Sequence, residues 1–135
     1  MHVDLDPYAW QPTDPPVRRP VDESLAELRA ALPEDGWVVE GCYADLLRGL
    51  TADADLLIFL NPGVEACIRH CRARPFEPHK YATPEAQDAN LAMLLAWVRD
   101  YDARDGPTSL AGHRALFDAF DGDKRELTSP RKWTP

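Results

Sequence analysis

Asp4 and Asp6 close a short alternating run, His2-Val3-Asp4-Leu5-Asp6. Glu40 and Gly41 directly follow the apolar Trp37-Val38-Val39, and Asn61 follows Leu56-Leu57-Ile58-Phe59-Leu60. Acids at such positions can hold a metal-bound water or take a proton from a substrate hydroxyl. A glycine there lets a ligand approach the backbone closely. The plainer reading of Asp6 is a turn or cap residue, which Asp favours.

Arg69, Arg72 and Arg74, with His79 and Lys80, form a basic cluster in an acidic chain. Arginines one helical turn apart can clamp phosphates and offset charge in a transition state. They can equally be a solvated face at a helix C-terminus, where cations suit the dipole. Trp10 lies among prolines, placed to stack on a substrate or to anchor its loop. Cys67, His70 and Cys71 lack a fourth ligand at useful spacing, so no metal site is expected and buried free thiols are. Cys42, next to Gly41, is the best placed of the three cysteines for thiol chemistry. His113 reads as a capping or surface residue, and Met93 and Trp97 as a core pair.

These residues need elements to position them. The first run reads as a very short strand. Pro7, Pro12, Pro15, Pro16 and Pro20 make residues 7–20 a long loop, because each proline removes a backbone donor. Asp22 can cap a helix to about Leu32, with Leu25, Leu28 and Leu32 at helical spacing. Trp37-Val38-Val39 reads as a short strand, Tyr43 to Leu50 as a brief helix, and Asp55 to Leu60 as the clearest strand. Val64 to Arg72 is a helix. Thr83 as cap and Pro84 at the first position start a helix reaching about Tyr101. Ser109 to Phe120 is the last helix. Residues 126–128 are a candidate final strand, and residues 129–135 read as a flexible tail. Strands alternating with helices predict a three-layer α/β/α domain, a parallel sheet with helices on both faces. In such sheets ligands bind outside the carboxyl ends of the strands, where Asp4, Asp6, Glu40, Gly41 and Asn61 fall.

The whole chain has 135 residues, enough for one domain. Its net charge of -8 argues against non-specific nucleic-acid or anionic-membrane binding. No apolar run approaches the ~20 residues of a membrane helix. Three cysteines without a secretory signal read as reduced thiols in a cytoplasmic protein.

Several blocks together resemble a known group. His2-Val3-Asp4-Leu5-Asp6 with Tyr8-Ala9-Trp10-Gln11-Pro12 resembles the second strand and substrate loop of bacterial P-loop kinase-like proteins. These proteins carry labels such as shikimate kinase-like, adenylate kinase-like or AAA-family ATPase. Trp37-Val38-Val39-Glu40-Gly41-Cys42-Tyr43 resembles their third strand, and Asp55 to Asn61 their fourth. Arg72-Ala73-Arg74-Pro75-Phe76-Glu77-Pro78-His79-Lys80-Tyr81, followed by Glu85-Ala86-Gln87-Asp88-Ala89-Asn90-Leu91, resembles the lid and following helix of one subgroup. The likeness runs over nearly the whole chain.

The resemblance implies a single P-loop nucleoside-kinase-like domain with a lid at residues 74–82. It implies ATP- and Mg²⁺-dependent phosphoryl transfer to a small molecule by the full-length family. It implies Asp6, Glu40, Arg72 and Arg74 as catalytic residues. Asp4, Trp10, Gly41, Tyr43, His79 and Lys80 are implied as substrate-binding.

One departure matters most. The family's first strand, its phosphate loop G-x-x-x-x-G-K-[ST] and the helix after them have no counterpart here. That loop's amides and Lys hold the phosphates and its Ser/Thr binds Mg²⁺. Neither ATP nor Mg²⁺ is therefore expected to bind these residues tightly, and phosphate transfer by this chain alone is not expected. An opening within a strand leads to the expectation that the start lies at an internal Met of a longer enzyme. The alternative is a non-catalytic binding or dimerising remnant of the kinase fold. The absent strand is central in the family's sheet, so a gap is expected between the strands at Val38 and Ile58, which a second copy of the chain could close.

Overall fold

A computed structural model describes residues 1–129. The chain is mixed α/β. It contains β1 (His2–Asp4), α1 (Asp6–Ala9), α2 (Val21–Ala31), β2 (Val38–Glu40) and α3 (Ala44–Arg48). A 3₁₀ turn (Thr51–Asp53) follows, then β3 (Leu56–Leu60), α4 (Val64–Ala73), α5 (Pro84–Arg99), α6 (Leu110–Ala119) and β4 (Asp123–Leu127). The expectation of a flexible tail falls, beyond Ser129, outside the described residues.

The strands form two separate two-stranded parallel sheets rather than one. β1 pairs with β2, setting Asp4 opposite Glu40. β3 pairs with β4, setting Leu60 opposite Leu127. β2 and β3 share no ladder. Each sheet therefore has free edges among the described residues.

Local chemistry explains most element ends. Thr83 accepts a hydrogen bond from the Ala86 amide at 3.1 Å, and Pro84 occupies the first helical position of α5. Ser109 does the same for α6, accepting from the Gly112 amide at 3.0 Å. α2 starts one residue before the expected Asp22 cap, with Pro20 preceding it and no side-chain cap. The proline-rich stretch is more ordered than a bare loop. Pro7 sits in the first turn of α1, where its missing donor costs nothing. Trp10 and Arg18 form an antiparallel bridge, and the Gln11 amide donates to the Val17 carbonyl at 2.8 Å. β4 is longer than the expected residues 126–128. Its Asp123-Lys124-Arg125 start carries no apolar pattern, and pairing with β3 makes it a strand.

The tightest core surrounds the first sheet. Val3, Leu5, Ala9, Leu28, Tyr43, Leu46 and Leu50 are buried together. Gly41 belongs to this packing, since a Cβ on it would lie 2.8 Å from the Leu5 Cβ. The second sheet is covered on one face only. Phe59 packs on Phe117 of α6 with ring centroids 6.1 Å apart. The other face shows Leu56, Ile58 and Leu60, each more than 40% exposed. Val38 on β2 is 63% exposed. Met93 and Trp97, expected as core, are exposed on α5. No helix among the described residues is long and apolar enough to cross a membrane.

Candidate functional site

The backbone after β1 turns at once into α1, and the Asp6 amide donates to Asp4 Oδ1 at 2.9 Å. This places both carboxylates at the C-terminal end of the first sheet. The chain after β2 delivers Tyr43 to the same place. Its ring is almost fully buried, at 4% exposure, and its hydroxyl donates to Asp6 Oδ1 at 2.7 Å. The Trp10 indole donates to that hydroxyl at 2.8 Å, with its ring edge-on to Tyr43 at 6.3 Å. Lys80, 74 residues along the chain from Asp6, brings its ammonium to 3.3 Å from Asp6 Oδ2. Asp6 and Trp10 from the two ends of α1, Tyr43 after β2 and Lys80 thus gather from three segments around the Asp6 carboxylate.

A residue without an assigned role in the sequence supports this cluster. Arg18 grips both carboxylate oxygens of Asp45, at 3.1 and 2.9 Å, and its Nε donates to the Ala9 carbonyl at 3.2 Å. Its guanidinium lies 4.9 Å from the centre of the Tyr43 ring, a cation–π distance. The only sequence sign of Arg18 is a positive charge inside a proline-bounded loop.

The electrostatics follow from burial and from Asp6. Tyr43 is pushed well above the ordinary tyrosine range, first by burial and then by donating to the Asp6 carboxylate, so it remains a donor at neutral pH. Burial alone would lower the Lys80 ammonium. Asp6 and Glu77 outweigh it, raising the pKa and keeping the group charged. Each Asp6 oxygen accepts one of these side-chain bonds and keeps a lone pair free. Its side chain is 45% exposed. The cluster can therefore accept a hydrogen bond from a small hydroxylated molecule, with Trp10 beside it as an aromatic surface and Lys80 as a cation.

Cys42 is pushed up to about 11, by burial first and the Asp6 charge second. At neutral pH it carries about a hundredfold less thiolate than an ordinary cysteine. Iodoacetamide should therefore label it at least tenfold more slowly than a small free thiol at pH 7.5, as read by peptide mapping.

The other expected site residues lie apart. Glu40 points away from the cluster and contacts His2 at 3.1 Å, both side chains being 62% exposed. Gly41 makes room for Leu5. Arg74 reaches Glu77 at 3.8 Å, and Glu77 lies 3.8 Å from Lys80, so Arg74 joins the cluster only through that acid. Arg72 and His79 are exposed and make no ion pair among the described residues. Asn61 serves the second sheet. It donates to Glu126 at 3.0 Å, while Arg114 grips both Glu126 oxygens. Arg114 and then Asn61 hold the Glu126 carboxyl down at about 2.

No family model matches this chain, and no curated protein and no solved structure matches it.

His113 is neither a cap nor a surface residue. Its Nε2 lies 2.6 Å from the Cys42 carbonyl and its Nδ1 2.6 Å from the Tyr101 hydroxyl. A carbonyl only accepts, so Nε2 carries the proton and Nδ1 accepts from Tyr101. Its ring meets Phe59 edge-on at 6.0 Å. His113 therefore ties the end of the first sheet to the second. Burial lowers its pKa below the ordinary 6.5, and Arg104 adds to this. The neutral ring stabilises the fold fully above about pH 6.5, and that contribution is lost as pH falls through the lowered value. Urea midpoints measured at pH 7.5 and pH 5.5 should fall toward acid, and the His113 imidazole should titrate below 6.5 by NMR.

Two shallow hollows flank Arg48, of 360 and 460 Å³. The first is lined by Ala44, Asp45, Gly106, Pro107 and Gly112, the second by Leu116, Phe120 and their neighbours. Asp45 lies beside Arg48 in the first and Asp121 in the second, and neither is lined by Asp6.

Proposed function

We propose that this chain is the acceptor-binding part of a P-loop-kinase-like phosphotransferase fold. It holds a small hydroxylated molecule at Asp6, Trp10, Tyr43 and Lys80. One observation carries the reading: those four side chains converge at the carboxyl end of parallel strands, where open α/β folds bind ligands. In this reading Asp6 accepts the hydrogen bond of the acceptor hydroxyl. Tyr43 fixes the rotamer of Asp6, Trp10 covers the acceptor's apolar face, and Lys80 offsets negative charge.

The two half-sheets support the finer fold. Both β2 and β3 leave an edge unpaired, and their apolar residues Val38, Leu56, Ile58 and Leu60 are exposed. A parallel strand buried between them would satisfy both edges. The P-loop kinase architecture has a strand at that place.

The residues present do not fit ATP with Mg²⁺. No phosphate loop occurs in the sequence. Asp4 and Asp6 are engaged by the Asp6 amide, Tyr43 and Lys80, and no group of three metal-ligating side chains exists among the described residues. No step is therefore assigned to a bound nucleotide here. The expected result with these 135 residues is binding without turnover. Calorimetric titration with glycerol, a hexose, an aminosugar, shikimate and a nucleoside monophosphate should reveal at least one ligand. Release of phosphate from MgATP should stay at the background rate. Silence across the whole panel, or steady ATP turnover, would refute the reading.

The exposed β3 edge favours a second reading, a dimerising form of the same fold. Leu56-Leu57-Ile58-Phe59-Leu60 carries no charge and no proline, the devices that usually block edge pairing. Sedimentation equilibrium separates the two: a monomer at micromolar concentration removes the dimer.

A further inference from the structure

Cys67 and Cys71 lie four residues apart within α4. Side chains at that spacing stand on one face of a helix, with Cβ atoms about 5–6 Å apart. Ile68, on the same face, is buried. Both cysteines are free thiols, and both are half-buried rather than sealed in the core. α4 packs on α5, so the backbone that carries the two thiols is held by tertiary contact. Neither thiol belongs to the cluster around Asp6.

We propose that Cys67 and Cys71 form a two-thiolate site for a soft monovalent cation, copper(I). Metal–thiolate bonds are about 2.3 Å long, so two of them set in line span about 4.6 Å. Two cysteines one helical turn apart can close that span by choice of rotamer, without moving the backbone. Soft thiolates select copper(I), and two of them complete its linear coordination. Zinc takes four ligands, and no group of three His, Cys, Asp or Glu side chains among the described residues could hold a metal. The missing further ligands that argue against zinc therefore leave copper(I) as the fitting ion.

Binding breaks both S–H bonds, passes the two protons to water and forms two sulfur–copper bonds. No electron is transferred. Burial first, and then Cys71, push the Cys67 thiol above the ordinary cysteine range, so without metal it stays protonated at neutral pH. A coordinating ion deprotonates such a thiol outright. The complex carries one net negative charge. α4 offsets it with Arg69 and Arg72 against one acid, Glu65.

The test is a copper(I) titration of the whole reduced chain under anaerobic conditions, with bicinchoninate as the competing chelator. One ion per chain is expected, on a monomer by gel filtration. Cys67→Ser and Cys71→Ser should each weaken binding by about a hundredfold, since each removes one of two ligands. The double variant should be little worse than the poorer single one, because one thiolate alone does not make the site. Cys42→Ser should keep full affinity. Unchanged far-ultraviolet circular dichroism in the variants separates a lost ligand from a lost fold. X-ray absorption at the copper edge needs no variant and should show two sulfur neighbours and no nitrogen or oxygen. A nitrogen or oxygen neighbour would overturn the site. So would full affinity in Cys67→Ser or Cys71→Ser, an equal loss in Cys42→Ser, or one ion shared between two chains. The site uses no residue of the proposed acceptor site, so the two readings fail separately.

Discussion

Gly112→Ala should destabilise the protein by about 2 kcal/mol, a loss of roughly 6–10 °C in Tm. A Cβ on Gly112 would lie 2.2 Å from the Gly106 carbonyl oxygen, 3.2 Å from its carbon and 3.4 Å from the Pro107 Cα. All three are backbone atoms, so no side chain can swing aside. Alanine normally gains about 0.5–1 kcal/mol over glycine inside a helix. The clash outweighs that gain because the Gly106 carbonyl cannot retreat freely. It accepts from the Ser109 hydroxyl at 2.7 Å, and that same hydroxyl caps α6 through the Gly112 amide. The neighbouring Pro107 carbonyl accepts from the Ala44 amide at 3.0 Å, joining the α6 entry to α3. A shift here would loosen α6, which carries His113 and Arg114. Thermal unfolding reads the effect, and an unchanged Tm would show that the α6 entry is softer than its geometry implies.

Asp6→Asn should weaken acceptor binding by about tenfold to a hundredfold, the span of a hydrogen bond to a charged group. The change is nearly isosteric, and an amide oxygen still accepts from Tyr43, so the fold should persist. The loss should appear in affinity for whichever panel compound binds. Tyr43→Phe should cost less, because it removes an orienting bond and leaves the carboxylate. Equal affinities for Asp6→Asn and the unmodified chain would remove Asp6 from the site.

The sequence disclosed this architecture unevenly. Thr83-Pro84 announced α5 because capping is local chemistry, read within four residues. Leu56 to Leu60 announced β3 by apolarity alone. The strand-end acids were legible as a class, since Asp4 ends β1 and Asp6 opens α1 two residues on. Lys80 was legible as part of a basic cluster. Its contact with Asp6 was not, because 74 residues of folding separate the two and no local pattern encodes that distance. Arg18 stayed hidden for a related reason. Its role depends on Asp45 and the Tyr43 ring, both supplied by a different element. Glu40 shows the converse. Its strand-end position suggested chemistry, but a strand's side chains alternate, and the pleat turns it outward to His2. His113 could be read from helical spacing as peripheral, while its buried contacts with Cys42 and Tyr101 are tertiary. β4 was read short because its charged first half is a strand only through its partner.

The central claim is that the carboxyl end of the first sheet is a binding site built on Asp6. The Trp10 indole N–H reports on it directly, since it donates to the Tyr43 hydroxyl that donates to Asp6. The deciding measurement is the ¹H–¹⁵N spectrum of the indole groups during titration with the same acceptor panel, for the unmodified chain and for Asp6→Asn. A compound that shifts the Trp10 resonance in a saturable way, and needs at least tenfold more ligand in Asp6→Asn, is the predicted result. A compound that binds while Trp10 stays unmoved, or moves it equally in both chains, would contradict the account.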